Sequence, residues 1–301
     1  MTSGLLIAQL ALYAPLTLPT LYLLFRHGYC GLLAWLYLLA FCVLRITGAA
    51  MGLNDPHNAG AQIISSIGLS PLLLSIDGVL HEARIYYLSP SKRTEWTFMA
   101  LIHVLVATGV AMVGVGAGGL LGDTPKPSDL SNIKVGMVLL EVAWGVLTLW
   151  GLWTLWNGTG GGRKSAGNRG APAGLAAREG WLIVDMIVWS GDGGMLLTGT
   201  LLALAVVEIS VVYMLVTEFT QRADLNPTTG SLAVRVVLGF SPELLAAIVL
   251  VLAGFVTRGA GEVGAGEARL GHGQGRRHRH AHGHGRRSSS EHGTRSYSRS
   301  H

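Results

Sequence analysis

Long apolar runs separated by short polar stretches set the pattern of this chain, and the runs are too long and too uniformly apolar to be the faces of a soluble fold. Seven can be counted: Leu5 to Phe25, Leu32 to Met51, Ala61 to about Leu80, Thr97 to Leu121, Val135 to Trp156, Met195 to Val216 and Ser231 to Val256. At about 1.5 Å of rise per helical residue, each is close to or beyond what a hydrocarbon core of about 30 Å demands. The pattern predicts an all-α membrane protein, a seven-transmembrane helix bundle over residues 1–258. No basic stretch precedes the first run and no small-residue cleavage site follows it, so it reads as a retained span. Pro15 and Pro19 should kink it. Trp181 to Trp189 (WLIVDMIVW) does not fit: it is too short to span, and joined to the sixth run it would be too long. It is expected to be an interfacial or re-entrant piece, or else an irregular insertion within 160–195. Beyond Arg258 the residues are mostly Gly, Arg, His and Ser, with no apolar periodicity, so 259–301 is expected to be a disordered tail.

Composition agrees. Half of the residues are hydrophobic, 13% are charged and the mean hydropathy is +0.45, which together exclude an ordinary soluble domain. The net charge of +5 belongs largely to the stretch beyond Val256, which carries nine of the 22 Lys and Arg residues. Cys30 and Cys42 are the two cysteines, both in or beside the second run, so no disulfide framework is expected. Cys30 reads as an inert thiol, with palmitoylation as the alternative.

Basic residues also predict orientation. With the amino terminus outside, the inner loops hold Arg26, then Arg84, Lys92 and Arg93, then Arg163, Lys164, Arg169 and Arg178, and the tail arginines follow. The outer loops hold Lys126, Lys134 and Arg222 alone. The positive-inside rule therefore puts the tail in the cytoplasm, and Tyr86, Tyr87, Trp96, Trp153 and Trp156 fall at the inner interface. On this topology the sequon at Asn157 faces the cytoplasm and stays unglycosylated.

Charges inside the runs are the candidate chemistry. Arg45, Glu141, Glu208, Arg235 and Glu243 fall in the outer half or the middle of their spans, where lipid tolerates none of them unpaired. They form either a structural ion-pair network that fixes helix register or a ligand or ion site open to the outside with one acid left over. The first has the stronger physical argument, since pairing is the cheapest remedy for a buried charge. Pro242 beside Glu243 frees a backbone carbonyl, as in the discontinuous helices of transporters.

Asp77 and His81 share a helix face, and His103 starts the next run on the same side. Such a set can hold zinc and activate water, as in several seven-span hydrolases, but those need ligands on later helices and the seventh run has no histidine. Satisfied polar groups near an interface are the preferred reading; no metal, cofactor or nucleic-acid partner is expected. In the tail, His272, His278, His280, His282, His284 and His292 offer loose metal binding by composition, with a simply solvated tail preferred. Arg286 and Arg287 before Ser288 suit a basophilic kinase, and the tail arginines suit anionic lipid or a cytoplasmic partner. Gly114 to Gly119 matches GxGxxG but lies in an apolar run with no strand before it, so helix packing through Gly114 and Gly118 explains it better. Asp185 and Asp192 share one short segment and make a poor aspartyl protease pair, and all four lysines lie in loops, which excludes a retinal Schiff base.

FCVLRITGAAMGL (41–53), SIGLSPLLLSIDGVL (66–80) and LNPTTGSLAVRVVLGFSPELL (225–245) resemble segments of a family of uncharacterised seven-span integral membrane proteins of filamentous fungi, over most of 1–258. The resemblance implies a seven-helix bundle in a fungal membrane and no activity; Arg45 matches its second-helix arginine and Glu243 the acid of its last helix. The layout is more distantly similar to the lipid-translocating exporter-like and Pth11-type receptor-like fungal groups. Taken together, a non-enzymatic, receptor-like sensor is expected first, a lipid or small-molecule transporter second and a metal-dependent membrane hydrolase third.

Overall fold

The computed structural model describes residues 3–55, 58–88, 91–122, 124–166, 192–227 and 229–258, with the backbone alone for Tyr29, Cys30, Lys92, 159–166 and Asp192. Trp181 to Trp189 and the tail lie outside the described residues. The helices are α1 (Ser3–Arg26), α2 (Gly28–Asn54), α3 (Ala59–Ile67), α4 (Leu69–Leu88), α5 (Lys92–Leu120), α6 (Pro127–Ala166), α7 (Asp192–Thr220), the short α8 (Leu232–Val234), a π-helical turn (Arg235–Phe240) and α9 (Ser241–Val256). They make seven spans long and apolar enough to cross a membrane, with α3 and α4 sharing one and the α8-to-α9 stretch another. No strand is present among the described residues. The protein is a multi-pass, seven-span helical bundle.

α4 is the central helix, packed against α2, α5, α6, α7 and α9. Its span is 61% buried, whereas that of α1 is 17% buried and lies at the edge. Trp35, Tyr13, Phe41, Leu72, Leu73 and Ile102 fill the interior, while Leu18, Phe25, Val115, Leu149 and Trp156 are exposed, as lipid-facing side chains are. α5 and α6 meet backbone to backbone: a Cβ on Gly136 would lie 2.6 Å from the Gly109 carbonyl, and one on Gly116 would run into that of Asp129. This corrects the sequence expectation, because Gly114 and Gly118 face open space and take no part in that contact.

Two prolines shape the spans, and in each case a hydroxyl takes over the carbonyl that the missing N–H would have bonded. Pro71 leaves Ile67 O free; the Ser70 hydroxyl donates to it at 2.6 Å, where α3 gives way to α4 at Gly68. Pro242 leaves Leu238 O free; the Ser210 hydroxyl, reaching across from α7, donates to it and to Gly239 O at 3.1 Å each. The Ser241 N–H then bonds Val236 O, five residues back, so the turn before Pro242 is π and not α. α1, by contrast, runs unbroken through Pro15 and Pro19.

Candidate functional site

A cavity of about 140 Å³ lies at the end of the bundle where α1 begins and α2 finishes. Its walls are Leu5, Leu6 and Gln9 of α1; Leu44, Arg45, Gly48, Ala49 and Gly52 of α2; Ala61, Gln62, Ile64 and Ser65 of α3; Tyr213 and Met214 of α7; Pro227; Arg235, Gly239 and Phe240 of the π turn; and Glu243 of α9. Small residues on α2, α3 and the π turn leave the space. Glu243 lies eleven residues into the last span, so the cavity reaches to a depth of about 16 Å, near mid-membrane.

Two cations and one anion line it. The Arg45 guanidinium reaches Glu243 Oε2 at 2.5 Å, with both side chains about nine-tenths buried. It lies over the Phe41 ring at 5.4 Å and against Gly68, where a Cβ would come within 3.0 Å of Cζ. Gly68 thus both ends α3 and makes room for the guanidinium. Nearby, the Tyr13 hydroxyl is fully buried with no hydrogen-bond partner, its ring edge-on to Phe41 and Phe240. Arg235 is different: it makes no ion pair among the described residues, and its Nε has no hydrogen-bond partner. Its neighbour Tyr213 donates its hydroxyl to Leu225 O at 2.8 Å. The lining therefore carries one surplus positive charge.

The five charges singled out from the sequence do not form one cluster. Arg45, Arg235 and Glu243 share the cavity. Glu141 and Glu208 lie on α6 and α7, within electrostatic reach of each other and outside the cavity lining. Trp144 Nε1 donating to Leu204 O at 2.9 Å sets that helix pair in register. One oxygen of each carboxyl is buried without a hydrogen-bond partner.

Asp77, His81 and His103 lie together but are taken up singly. His103 Nδ1 is 2.8 Å from Met99 O and 3.4 Å from Asp77 Oδ2, so the carbonyl is the better acceptor. His81 Nδ1 is 3.5 Å from Glu95, whose carboxylate also takes two nitrogens of Arg84, Nε at 3.0 Å and Nη2 at 2.8 Å. Arg84 also donates to the Thr154 hydroxyl and lies 4.3 Å from the Trp150 ring centroid. No three His, Cys, Asp or Glu side chains among the described residues converge as metal ligands. The sequence pattern puts Arg84 in a loop; α4 continues to Leu88 instead and buries it.

A second buried tie escaped the sequence reading. In the turn between the first two spans, Gly28 adopts φ +64°. Beside it His27 gives Nδ1 to Glu82 Oε1 at 2.7 Å and Nε2 to Gly254 O at 3.0 Å, joining that turn to α4 and α9. Because Gly254 O can only accept, Nε2 carries a proton, and a further proton is shared by Nδ1 and Glu82. Burial works against the imidazolium, but the hydrogen bond and charge of Glu82 outweigh it and hold the His27 pKa above the ordinary 6.5. Its signal was a lone His before a Gly at the end of an apolar run.

The profile of a family described as a domain of unknown function, DUF7702, matches residues 1–165, more than half of the chain. The chain belongs to the DUF7702 family. No curated protein and no solved structure matches it. The DUF7702 match covers α1 to α5 and nearly all of α6, and includes the segments 41–53 and 66–80 but not 225–245. Arg45 therefore lies within the DUF7702 region, whereas Arg235 and Glu243, which complete the cavity with it, lie beyond.

Proposed function

We propose that this chain is a receptor-like membrane sensor, not an enzyme, that admits a small ligand to the cavity beside Arg45, Arg235 and Glu243. The observation that carries this is a charged cavity running from one face of the bundle to near mid-membrane, with Arg235, a cation that makes no ion pair among the described residues, in its wall. Ligand sites of helical bundles lie between helices and combine apolar walls with a few placed polar groups. The distribution of basic residues supports an amino terminus outside and a cytoplasmic tail, so the cavity faces out and the Arg- and His-rich tail meets an inner partner or anionic lipid. Transport is the second reading, favoured by the π turn and the interrupted α3–α4 span that flank the same cavity.

Thermal-shift screening of full-length protein in detergent tests the sensor reading. Stabilising compounds should lose their effect in Gln62→Trp, which fills the cavity, and should show no net flux in proteoliposomes. Flux that is abolished by Glu243→Gln in a folded protein moves the assignment to transport. Orientation has its own check: a glycosidase-sensitive mobility shift that disappears in Asn157→Gln places the amino terminus inside and removes the outward-facing cavity.

A further inference from the structure

The cavity's charges constrain what can occupy it, given the ligand-binding reading above. Glu243 neutralises Arg45 and holds its guanidinium against Phe41 and Gly68. Arg235 has no such partner among the described residues. The hydroxyl proton of its neighbour Tyr213 is committed to Leu225 O, and Glu243 is engaged elsewhere. Arg235 stands three residues into the last span and is part-buried in the cavity wall, and its guanidinium presents a planar fork of donors that matches the two oxygens of a carboxylate or phosphate. A cationic ligand would meet the surplus positive charge, and a neutral one would leave Arg235 as it stands. Elsewhere in the lining, Leu6, Ile64, Met214 and Phe240 offer apolar surface for the rest of the molecule.

We infer that the ligand is a small amphiphile with one anionic oxygen-bearing head group, whose charge pairs with Arg235 while its apolar body lies against α1 and α3. The same head group chemistry could come from a lipid or from a soluble organic anion. Arg45 and Glu243 form the floor of the site and stay paired, so one negative charge on the ligand brings the cavity to neutrality.

The test uses full-length protein in an uncharged maltoside detergent, with thermal shift as the readout and decanoate, decanol, decylammonium and acetate as probes below their micellar concentrations. Decanoate should raise the melting midpoint saturably. Arg235→Gln should weaken that response at least tenfold, and Arg235→Lys, which keeps the charge, should retain most of it. Because Arg235 makes no ion pair among the described residues, both variants are expected to fold. A weaker response to acetate assigns the ligand to lipid-like amphiphiles; an equal response assigns it to soluble anions, and either outcome supports recognition of the anionic head. If decanol or decylammonium matches decanoate and Gln62→Trp still abolishes the shift, the anion inference is overturned and the cavity reading stands. Undiminished decanoate binding in Arg235→Gln also overturns it. If no probe gives a shift sensitive to Gln62→Trp, both readings are overturned.

Discussion

Arg45 and Glu243 are each other's partner with both side chains about nine-tenths buried, and the cost of removing one follows from what is left behind. A guanidinium stripped of its carboxylate stays buried against Phe41 with no acceptor, and breaking such pairs costs about 3–5 kcal/mol. Replacing both by apolar groups of similar volume leaves no orphan. Glu243→Leu or Arg45→Met alone should therefore destabilise the protein by about 3 kcal/mol, and the double variant should recover most of the loss, in a double-mutant cycle of chemical unfolding in detergent. Additive losses would mean that the two groups do not interact in the membrane. That these residues matter was legible, because a charge inside an apolar run stands out at once. Which cation meets which acid was not, since a span's sequence gives depth to within about a turn and says little about the direction in which each side chain points. Tyr13, Gln9 and Tyr213 were missed for the same reason: an isolated polar side chain in an apolar run looks alike whether it faces lipid, core or cavity. His27 with Glu82, and Arg84 with Glu95, hid because charges at span ends look like loop residues until the fold buries them.

The seven spans needed only length and apolar content, so they could be read directly. Their interruptions needed tertiary partners. Pro71 and Pro242 mark where carbonyls come free, but the hydroxyls of Ser70 and Ser210 decide how the backbone answers, by a break in one span and a π turn in the other. Helix α6 extends to Ala166 through a Gly-rich stretch that propensity alone counts against. The glycines of α5 and α6 show the same limit, because small residues are visible in sequence while the face they present is not. Gly136 sits against the Gly109 backbone and Gly114 sits in open space, so the two should respond differently to the same change. Gly136→Leu must separate α5 from α6, at about 2 kcal/mol or more, whereas Gly114→Leu should shift stability by about 0.5 kcal/mol or less. Unfolding midpoints of the two variants measured side by side decide this; equal losses would overturn the assignment of which glycines lie in the α5–α6 contact.

At the scale of the whole molecule, α9 links the two ends of the bundle. Near its start Glu243 is tied to α2 beside the cavity, and near its end Gly254 O is tied to His27 and through it to Glu82, just before the chain enters the tail. A helix of 16 residues is a stiff rod of about 24 Å, so a change at the cavity has a direct mechanical route to the latch at the far face. Of the groups tied to the two ends of α9, only His27 both titrates near neutral pH and lies outside the spans. Burial lowers the His27 pKa and the Glu82 hydrogen bond and charge raise it, with the raising effects prevailing, so the folded value lies above the unfolded 6.5. A raised histidine pKa gives stability that is fully present below about 6.5 and is lost as pH climbs through the folded value. Melting midpoints of the full-length protein should thus be level below pH 6.5 and fall above it, and His27→Gln, which keeps a donor for Gly254 O but cannot titrate, should abolish most of the fall. If α9 transmits cavity events to the latch, Glu243→Gln should also move the pH at which that fall is centred, because a loosened α9 holds Gly254 O less firmly against His27. A fall centred at the same pH in Glu243→Gln would show that the two ends of α9 act independently, and would leave the tail to be reached by some other helix.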